Sequence, residues 1–476
     1  MVFMKTTNQV ISSSGITFGT SGARGLVSDF SAEVCAAFTI AFLSSIEKAN
    51  RLAIGIDNRP SSPDMARACI SAAKILGIEV DYYGVIPTPA LAYKAQLDSV
   101  PAIMITGSHI PFDRNGLKFY TLTGEINKAE EQAILHSRSE VPAFQLSPLP
   151  VVNESARDAY IERYTRVFPH TLLAGKRVGV YQHSSAGRVL YPTLFKMLGA
   201  EVVELGFSDK FVPIDTEAVA EADRKQAREW TKEHDLDMLF STDGDGDRPL
   251  LADETGEYLR GDILGLLSAQ GLGIEALAVP VSCNTSIEQS GAFKEVTRTR
   301  IGSPYVIEAF KDLLTKYDSV AGFEANGGFL LATKIRVGNQ VLPELATRDA
   351  ILPMLGAVLL ANKQPLSKLV KSLPRRFTYS DRVKNFPTDA SQQIIHKGTN
   401  SPDWLVSKLG LYPDRSVSLD VTDGLRIFLA SGDIVHLRPS GNAPELRCYA
   451  EANDSSTAEA IVKRVLAVIK GLSILE

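Results

Sequence analysis

Three aspartates alternate with glycines in Ser241-Thr-Asp-Gly-Asp-Gly-Asp-Arg-Pro249, and that spacing is the most specific chemical signal in the sequence. Asp243, Asp245 and Asp247 on so permissive a backbone bring three hard oxygen ligands to one point, as a divalent cation requires. Without a cation, three crowded carboxylates repel one another. An EF-hand calcium loop is the rival reading, because Glu254 falls at its twelfth position. Against it, Arg248 stands in the slot of the sharp-turn glycine, Pro249 follows, and the flanks read as strands rather than helices. The residues favour Mg²⁺, with coordination sites left for water or a phosphate oxygen.

Three further loops carry reactive or anion-binding side chains. In Ile105-Thr-Gly-Ser-His-Ile-Pro-Phe-Asp-Arg-Asn-Gly-Leu-Lys-Phe-Tyr120, Ser108 follows a strand end between Gly107 and His109, a place where its hydroxyl is offered to a ligand rather than buried. The Gly-x-Ser-x-Gly elbow of the α/β-hydrolases is missing, and taken alone the segment reads better as a turn serine with a solvated histidine. Lys118, further along the same loop, suits acid or base work if burial lowers its pKa. In Gly322-Phe-Glu-Ala-Asn-Gly-Gly328, Glu324 and Asn326 offer an acceptor and an amide to vicinal hydroxyls, with a glycine-rich turn as the equal alternative. Arg438-Pro-Ser-Gly-Asn-Ala-Pro-Glu-Leu-Arg447 combines two guanidiniums, a hydroxyl and an amide with exposed N–H groups around Ser440, Gly441 and Asn442, a mixture suited to a dianionic phosphate.

The elements that must position these loops repeat. Strand 51–57, a helix over 63–76, strand 77–84 and strand 101–106 lead into the first loop. Strand 176–181, helix 191–198, strand 199–205 and strand 236–240 lead into the second; strands 277–281, 291–296 and 319–322 lead into the third. Such alternation predicts α/β domains with mixed, mainly parallel sheets, each sending a polar loop from a strand's carboxyl end, where open sheets place ligands. After about residue 374 the strands 417–421, 425–429 and 434–437 predict an antiparallel meander, closed by an amphipathic helix over 457–472 with Ile461, Val462, Val465, Val468 and Ile469 on one side. The expected division is 1–154, 155–257, 258–374 and 375–476, the last an α+β domain.

Length and charge agree with that plan. A chain of 476 residues suggests three or four domains. Its formal charge of −5 gives no basic excess for nucleic acid. The longest apolar stretch, Ile351 to Ala361, is too short to cross a bilayer and contains a proline, so no membrane is expected as partner. Cys35, Cys69, Cys283 and Cys448 lie far apart without CxxC spacing, and the N-terminus lacks an apolar signal core, which makes the cytoplasm the expected compartment.

The loops in this order resemble the α-D-phosphohexomutase family, the phosphomannomutases and phosphoglucomutases. Phe18-Gly-Thr-Ser-Gly-Ala-Arg-Gly25 resembles the family's FGTSGxRG segment, Asp57-Asn-Arg-Pro-Ser-Ser62 its DxRxSS, Thr106-Gly-Ser-His-Ile-Pro111 its phosphoserine loop, and Asp243-Gly-Asp-Gly-Asp-Arg248 its metal loop. The resemblance implies four domains around a central cleft, three of them alike. It also implies transfer of a phosphoryl group between C1 and C6 of a hexose phosphate by phosphorylated Ser108. Mg²⁺ would be held by Ser108, Asp243, Asp245 and Asp247, with hexose 1,6-bisphosphate as intermediate and activator. Arg24 or Arg248 would offset charge on the transferring group, and Arg438, Ser440, Asn442 and Arg447 would hold the other phosphate. Mannose is the expected sugar on overall likeness; glucose and glucosamine phosphates are the alternatives, as is a catalytically silent sugar-phosphate-binding paralogue. Two departures stand out: Asn326 and Gly328 replace the serine and histidine of GExSGH, and Asn442 and Ala443 replace the threonine and glutamate of RxSGTEP. Glycine transfers no proton, which leaves His109 and Lys118 as the acid-base candidates. The oligomeric state is not fixed by the sequence.

Overall fold

The computed structural model describes residues 4–19, 22–46, 49–411, 414–440 and 444–471. Two compact units emerge, one of Met1–Ile274 with Phe310–Leu369 and the other of Glu275–Ala309 with Val370–Glu476.

The first unit holds the Ser108 and aspartate loops. Strand Arg51–Ile56 lies between Glu79–Val85 and Ala102–Ile105, parallel to both. Arg114–Thr121 then adds antiparallel to Ala102–Ile105, and Ala23–Leu26 adds antiparallel to that. Leu52, Ile54, Ile56, Ile103 and Ile105 pack with Phe38, Phe42, Met65 and Ile70 of helices Ala32–Ser44 and Ser62–Ile75. At an alternate position, Gly55 leaves room for Leu91 of helix Thr88–Asp98 and for Met104 beside it. With both faces covered, the middle strands are apolar at nearly every position, which is why they read as unbroken runs in the sequence.

A second sheet runs in the order Pro249–Ala252, Met238–Thr242, Arg177–His183, Glu201–Phe207, parallel except for its first pair. The aspartate loop is the turn between Met238–Thr242 and the antiparallel strand Pro249–Ala252. The third ligand loop is likewise a turn between antiparallel strands, Val320–Phe323 and Phe329–Leu331, and Leu345–Asp349 pairs with the latter. The sheets are therefore mixed, parallel where helices cross over and antiparallel where the loops turn back. The apolar stretch at 351 forms the buried helix Ile351–Ala361, with Pro353 in its first turn, where a missing N–H is tolerated. No helix among the described residues is long and apolar enough to cross a membrane.

The second unit contains the parallel pair Ala276–Pro280 and Glu295–Thr299. The latter strand was expected over 291–296; Gly291 adopts a φ of +64° and the chain turns there first. Its main sheet is antiparallel, ordered Phe377–Lys384, Glu445–Ala452, Ile434–Pro439, Leu425–Leu429, Ser416–Asp420. One face carries Leu425, Ile427, Val435, Leu437, Leu446, Cys448 and Ala450 against helices Thr388–Asn400, Pro402–Lys408 and Ser455–Gly471. The alternate residues, among them Arg426, His436, Arg438, Arg447 and Glu451, point to the opposite face. The terminal helix buries Ile461, Val462, Val465, Leu466 and Ile469, while Val468 is half-buried.

Candidate active site

Ser108 sits one turn past Ala102–Ile105 with φ +55°, a left-handed conformation that a serine holds only when its surroundings impose it. Arg59 imposes it. Its Nη2 donates to the carbonyls of Ser108 (2.9 Å) and Ile110 (2.6 Å), and its Nη1 to those of Pro111 (2.7 Å) and Arg114 (2.9 Å). Its Nε donates to Asp57 Oδ2 at 3.1 Å, so all five N–H groups are used. Asp57 Oδ2 also accepts from Thr106 Oγ1 (2.7 Å), which in turn accepts from the Ser108 N–H (2.8 Å). A Cβ at Gly107 would stand 2.6 Å from Arg59 Cζ, so only glycine admits the guanidinium here. Burial lowers the Arg59 pKa, with Asp57 working against it.

Expected to offer its hydroxyl to a ligand rather than to be buried, Ser108 is fully buried, with Oγ donating to Asp243 Oδ2 at 2.7 Å. Asp243, Asp245 and Asp247 are buried too, and ligand oxygens of the three lie within 4.8 Å of one another. Asp245 Oδ2 accepts from Thr88 Oγ1 (2.7 Å) and Lys118 Nζ (2.6 Å). Asp247 Oδ2 accepts from Lys118 Nζ (2.7 Å) and Arg348 Nη2 (2.8 Å). The second oxygens, Asp245 Oδ1 and Asp247 Oδ1, are buried without a hydrogen-bond donor. Buried carboxylate oxygens left in this way call for a ligand, and three hard anionic donors suit a divalent cation such as Mg²⁺. Burial, then repulsion from Asp245 and Asp247, pushes the Asp243 carboxyl well above its ordinary range. Burial acts the same way on Asp247, but Arg348 and Lys118 hold it far below.

Lys118 lies within strand Arg114–Thr121, not in the loop. Its expected lowered pKa is also corrected: burial alone would pull it down, but Asp245 and Asp247 hold it above the ordinary lysine value. His109 differs from expectation as well. Its Nδ1 accepts from Arg248 Nη1 at 2.6 Å, and burial followed by repulsion from Arg248 lowers its pKa to about 3. The network therefore assigns the ring proton to Nε2, leaving a neutral donor. Arg24, on strand Ala23–Leu26, has no hydrogen bond or ion pair among the described residues, and burial with repulsion from Arg248 and Arg348 lowers its pKa to about 10. It remains charged at neutral pH. Arg24, Lys118, Arg248 and Arg348 thus face Asp243, Asp245, Asp247 and Glu324, with Glu125 also acting on Arg348. A divalent cation and a phosphoryl dianion enter such a site as a neutral pair.

No residue pattern pointed to Arg348, Thr88 or Arg59 as site residues beyond the DxRxSS likeness around the last. Arg348 explains Gly328. Its Nη1 reaches Glu324 Oε1 at 3.4 Å, and a Cβ on Gly328 would lie 2.5 Å from Arg348 Cδ. The arginine thus fills the space that a side chain at 328 would need. Asn326 holds the loop by accepting the Gly328 N–H on Oδ1 (3.0 Å), while its carbonyl accepts from Thr216 Oγ1 (2.8 Å). A charged Arg-Asp pair between an apolar strand and an apolar helix was the one available hint.

In the second unit, Arg438 and Arg447 stand directly opposite each other on adjacent strands, and Arg382 stands opposite Arg447 on its other side. Like charges so placed destabilise a sheet unless anions lie among them. Arg438 is offset by Asp423 (2.8 Å) and Arg382 by Glu445 (3.6 Å). Ser440 is buried at the strand end, its N–H donating to the Glu445 carbonyl at 2.9 Å. Gly441 and Asn442 lie outside the described residues.

Comparison with known proteins places this geometry. Four family models match, described as phosphoglucomutase/phosphomannomutase alpha/beta/alpha domain I over residues 15–141, domain II over 158–256, domain III over 260–377 and the C-terminal domain over 381–468. A phosphomannomutase of Salmonella muenchen is 54% identical over 467 residues, covering 98% of each chain. One of Sinorhizobium fredii is 41% identical, covering 96% of this chain and 99% of its own. A crystal structure of a phosphoglucomutase/phosphomannomutase family protein from Burkholderia thailandensis shares the fold with a TM-score of 0.73 at 19% identity, covering 95% of this chain and 97% of that one. The chain belongs to the α-D-phosphohexomutase family and is an isomerase of the phosphomannomutase/phosphoglucomutase type.

Proposed function

We propose that the protein interconverts hexose 1-phosphate and hexose 6-phosphate, with mannose as the sugar, through phosphorylated Ser108 and a hexose 1,6-bisphosphate. The observation that carries the mechanism is the Ser108 hydroxyl, 2.7 Å from Asp243 in a carboxylate triplet that keeps two buried oxygens without donors. Asp243, Asp245 and Asp247, with the Ser108 phosphoryl group, would hold Mg²⁺, which supplies Lewis-acid stabilisation of the transferring phosphoryl.

This chain's residues do the rest. The Arg59 network fixes the phosphoserine in line with the incoming hydroxyl. The Ser108 P–O bond breaks as the bond to the sugar oxygen forms, the proton of the sugar hydroxyl passes to the departing Ser108 Oγ, and charge spreads over the equatorial oxygens. Arg24 and Arg248 face that charge, and His109 donates through Nε2. A loose transition state needs fixed positive charge more than a strong base, so neither His109 nor Lys118 has to accept a proton. Lys118 holds Asp245 and Asp247 in place. Glu324 and Asn326 receive sugar hydroxyls. Arg438, Ser440, Asn442 and Arg447, with Gly441 supplying backbone, hold the phosphate that is not reacting. The bisphosphate then turns over and returns its other phosphate to Ser108.

The division at 154, 257 and 374 goes with this reading as one loop per domain. Four buried cysteines, all free, suit a reducing cytoplasm. Mannose rests on the two relatives named phosphomannomutase. A silent binder was suggested by Gly328, which Arg348 now accounts for by filling the same space. The test is turnover of mannose, glucose and glucosamine 1-phosphates with the matching bisphosphate. Highest kcat/KM for mannose is expected; preference for another hexose overturns the sugar, and no turnover of any overturns the mechanism.

A further inference from the structure

Arg426 lies in strand Leu425–Leu429 and is only 5% exposed, yet it makes no hydrogen bond or ion pair with any described residue. Among the described residues it lies over the ring of Phe428, 5.0 Å from guanidinium carbon to ring centre. Asp420 stands directly across the ladder without forming an ion pair, because its Oδ1 accepts the Thr422 N–H at 2.8 Å. A buried guanidinium with five unused donors is costly, and its ordinary remedy is a bound oxyanion.

The space for one is present. Arg426 lines a cavity of about 400 Å³ with Arg298, Arg376, Glu288, Asp420 and Phe428. The neighbouring arginines are already satisfied. Arg298 takes both Glu288 oxygens at 2.7 Å and the carbonyls of Pro280, Cys283 and Asn284. Arg376 takes Glu451 (2.6 Å), Asn453 and the Gly432 carbonyl. Glu288 and Glu451 are thereby paired, Asp420 faces Arg426 across the ladder, and Arg426 remains the guanidinium whose donors are unused. The cavity shares no lining residue with the Arg438–Arg447 cluster, and His436, its ring stacked on Tyr449 (5.3 Å), stands directly opposite Arg426 on the strand that also carries Arg438.

We propose that this cavity is a second oxyanion site, separate from the one that holds substrate phosphate, and that it takes the phosphate group of a small metabolite in bidentate contact with Arg426. At roughly 30 Å³ per water, the space exceeds what a bare ion fills and falls in the range of small-molecule clefts. Phe428 supplies an apolar wall for the remainder of the ligand. Residues from 285–298 and from 376–434 both line the cavity, so an occupant ties the parallel strand pair to the antiparallel sheet within this unit.

The test separates the two phosphate sites. Inorganic phosphate is titrated calorimetrically into full-length Arg447→Ala protein, in which the other site is weakened, and into the Arg447→Ala/Arg426→Gln double variant. Binding should persist in the first and fall by about tenfold or more in the second, with Arg426→Lys intermediate because it keeps charge without the fork. Near-ultraviolet dichroism checks that each variant is folded. Selenate soaked into crystals should give an anomalous peak within hydrogen-bonding distance of Arg426, absent from Arg426→Gln. Residual binding indifferent to residue 426, or a site empty at saturating selenate, would overturn the proposal. Competing sugar phosphates and nucleoside monophosphates against inorganic phosphate tells a metabolite-borne group from the free ion. Mutase turnover of Arg426→Gln, measured in parallel, keeps this result independent of the catalytic reading.

Discussion

Replacing Arg59 with lysine is the sharpest perturbation of the phosphoserine loop, because it keeps the charge beside Asp57 and removes the geometry. The guanidinium makes five bonds, four of them to carbonyls of Ser108, Ile110, Pro111 and Arg114. An ammonium has three donors, so at least two acceptors lose their partner. A buried acceptor left unsatisfied costs about 1–3 kcal/mol, which for two gives about 2–6 kcal/mol. That is a large part of the roughly 5–15 kcal/mol by which a domain is stable, so the loop will relax away from its left-handed Ser108 rather than bear the whole loss. A serine displaced by about 1 Å costs on the order of 10²-fold in rate. Arg59→Lys should therefore remain folded at 25 °C with a lowered denaturation midpoint. Its kcat should fall about 10²-fold, with KM changed much less, since Arg59 does not face the ligand. Urea titration and steady-state kinetics in both directions measure these quantities. Wild-type kcat together with a lowered midpoint would show that the network stabilises the domain without positioning the nucleophile, and the argument would fail.

Ser108→Ala should abolish turnover while leaving the fold intact; intact mass should show one phosphate on active protein and none on the variant. Chelation should remove activity and Mg²⁺ restore it, and Asp245→Asn should weaken metal affinity; calorimetry of Mg²⁺ on the apoprotein reads this without activity. Gly328→His should be destabilising by about 1–3 kcal/mol through overpacking against Arg348, and that loss should shrink in the Arg348→Ala background; additive effects in a double-mutant cycle would contradict the contact. His183 and His436 are buried and burial lowers each pKa to about 4, against an unfolded value near 6.5. The unfolded chain then binds protons first as the pH falls, so stability present above about pH 6.5 is lost toward pH 4, by up to about 3 kcal/mol per histidine. A melting temperature constant from pH 7 to 5 would rule this out.

What the sequence by itself determined is chiefly local. Asp243, Asp245 and Asp247 are legible because their spacing and glycines bring them together whatever the rest of the chain does. Ser108 and the Arg438–Arg447 loop were singled out from local residue types alone, and buried strands such as Arg51–Ile56 declared themselves as apolar runs. Tertiary structure decided the chemistry of those groups. Lys118 and His109 were read as acid-base candidates, and their partners are set from afar: Asp245 and Asp247, more than a hundred residues away, accept from the lysine, and Arg248 takes the histidine lone pair. Arg59 was visible only as part of a motif, because its partners at 108–114 are backbone carbonyls that no residue type encodes. Gly328 read as a lost function until Arg348 was seen to occupy its space, and the donors of Arg426 were seen to be unused only once the face of its strand was known. A pKa or a cavity depends on charges and volumes summed over neighbours in space, and that sum is fixed only when distant segments meet.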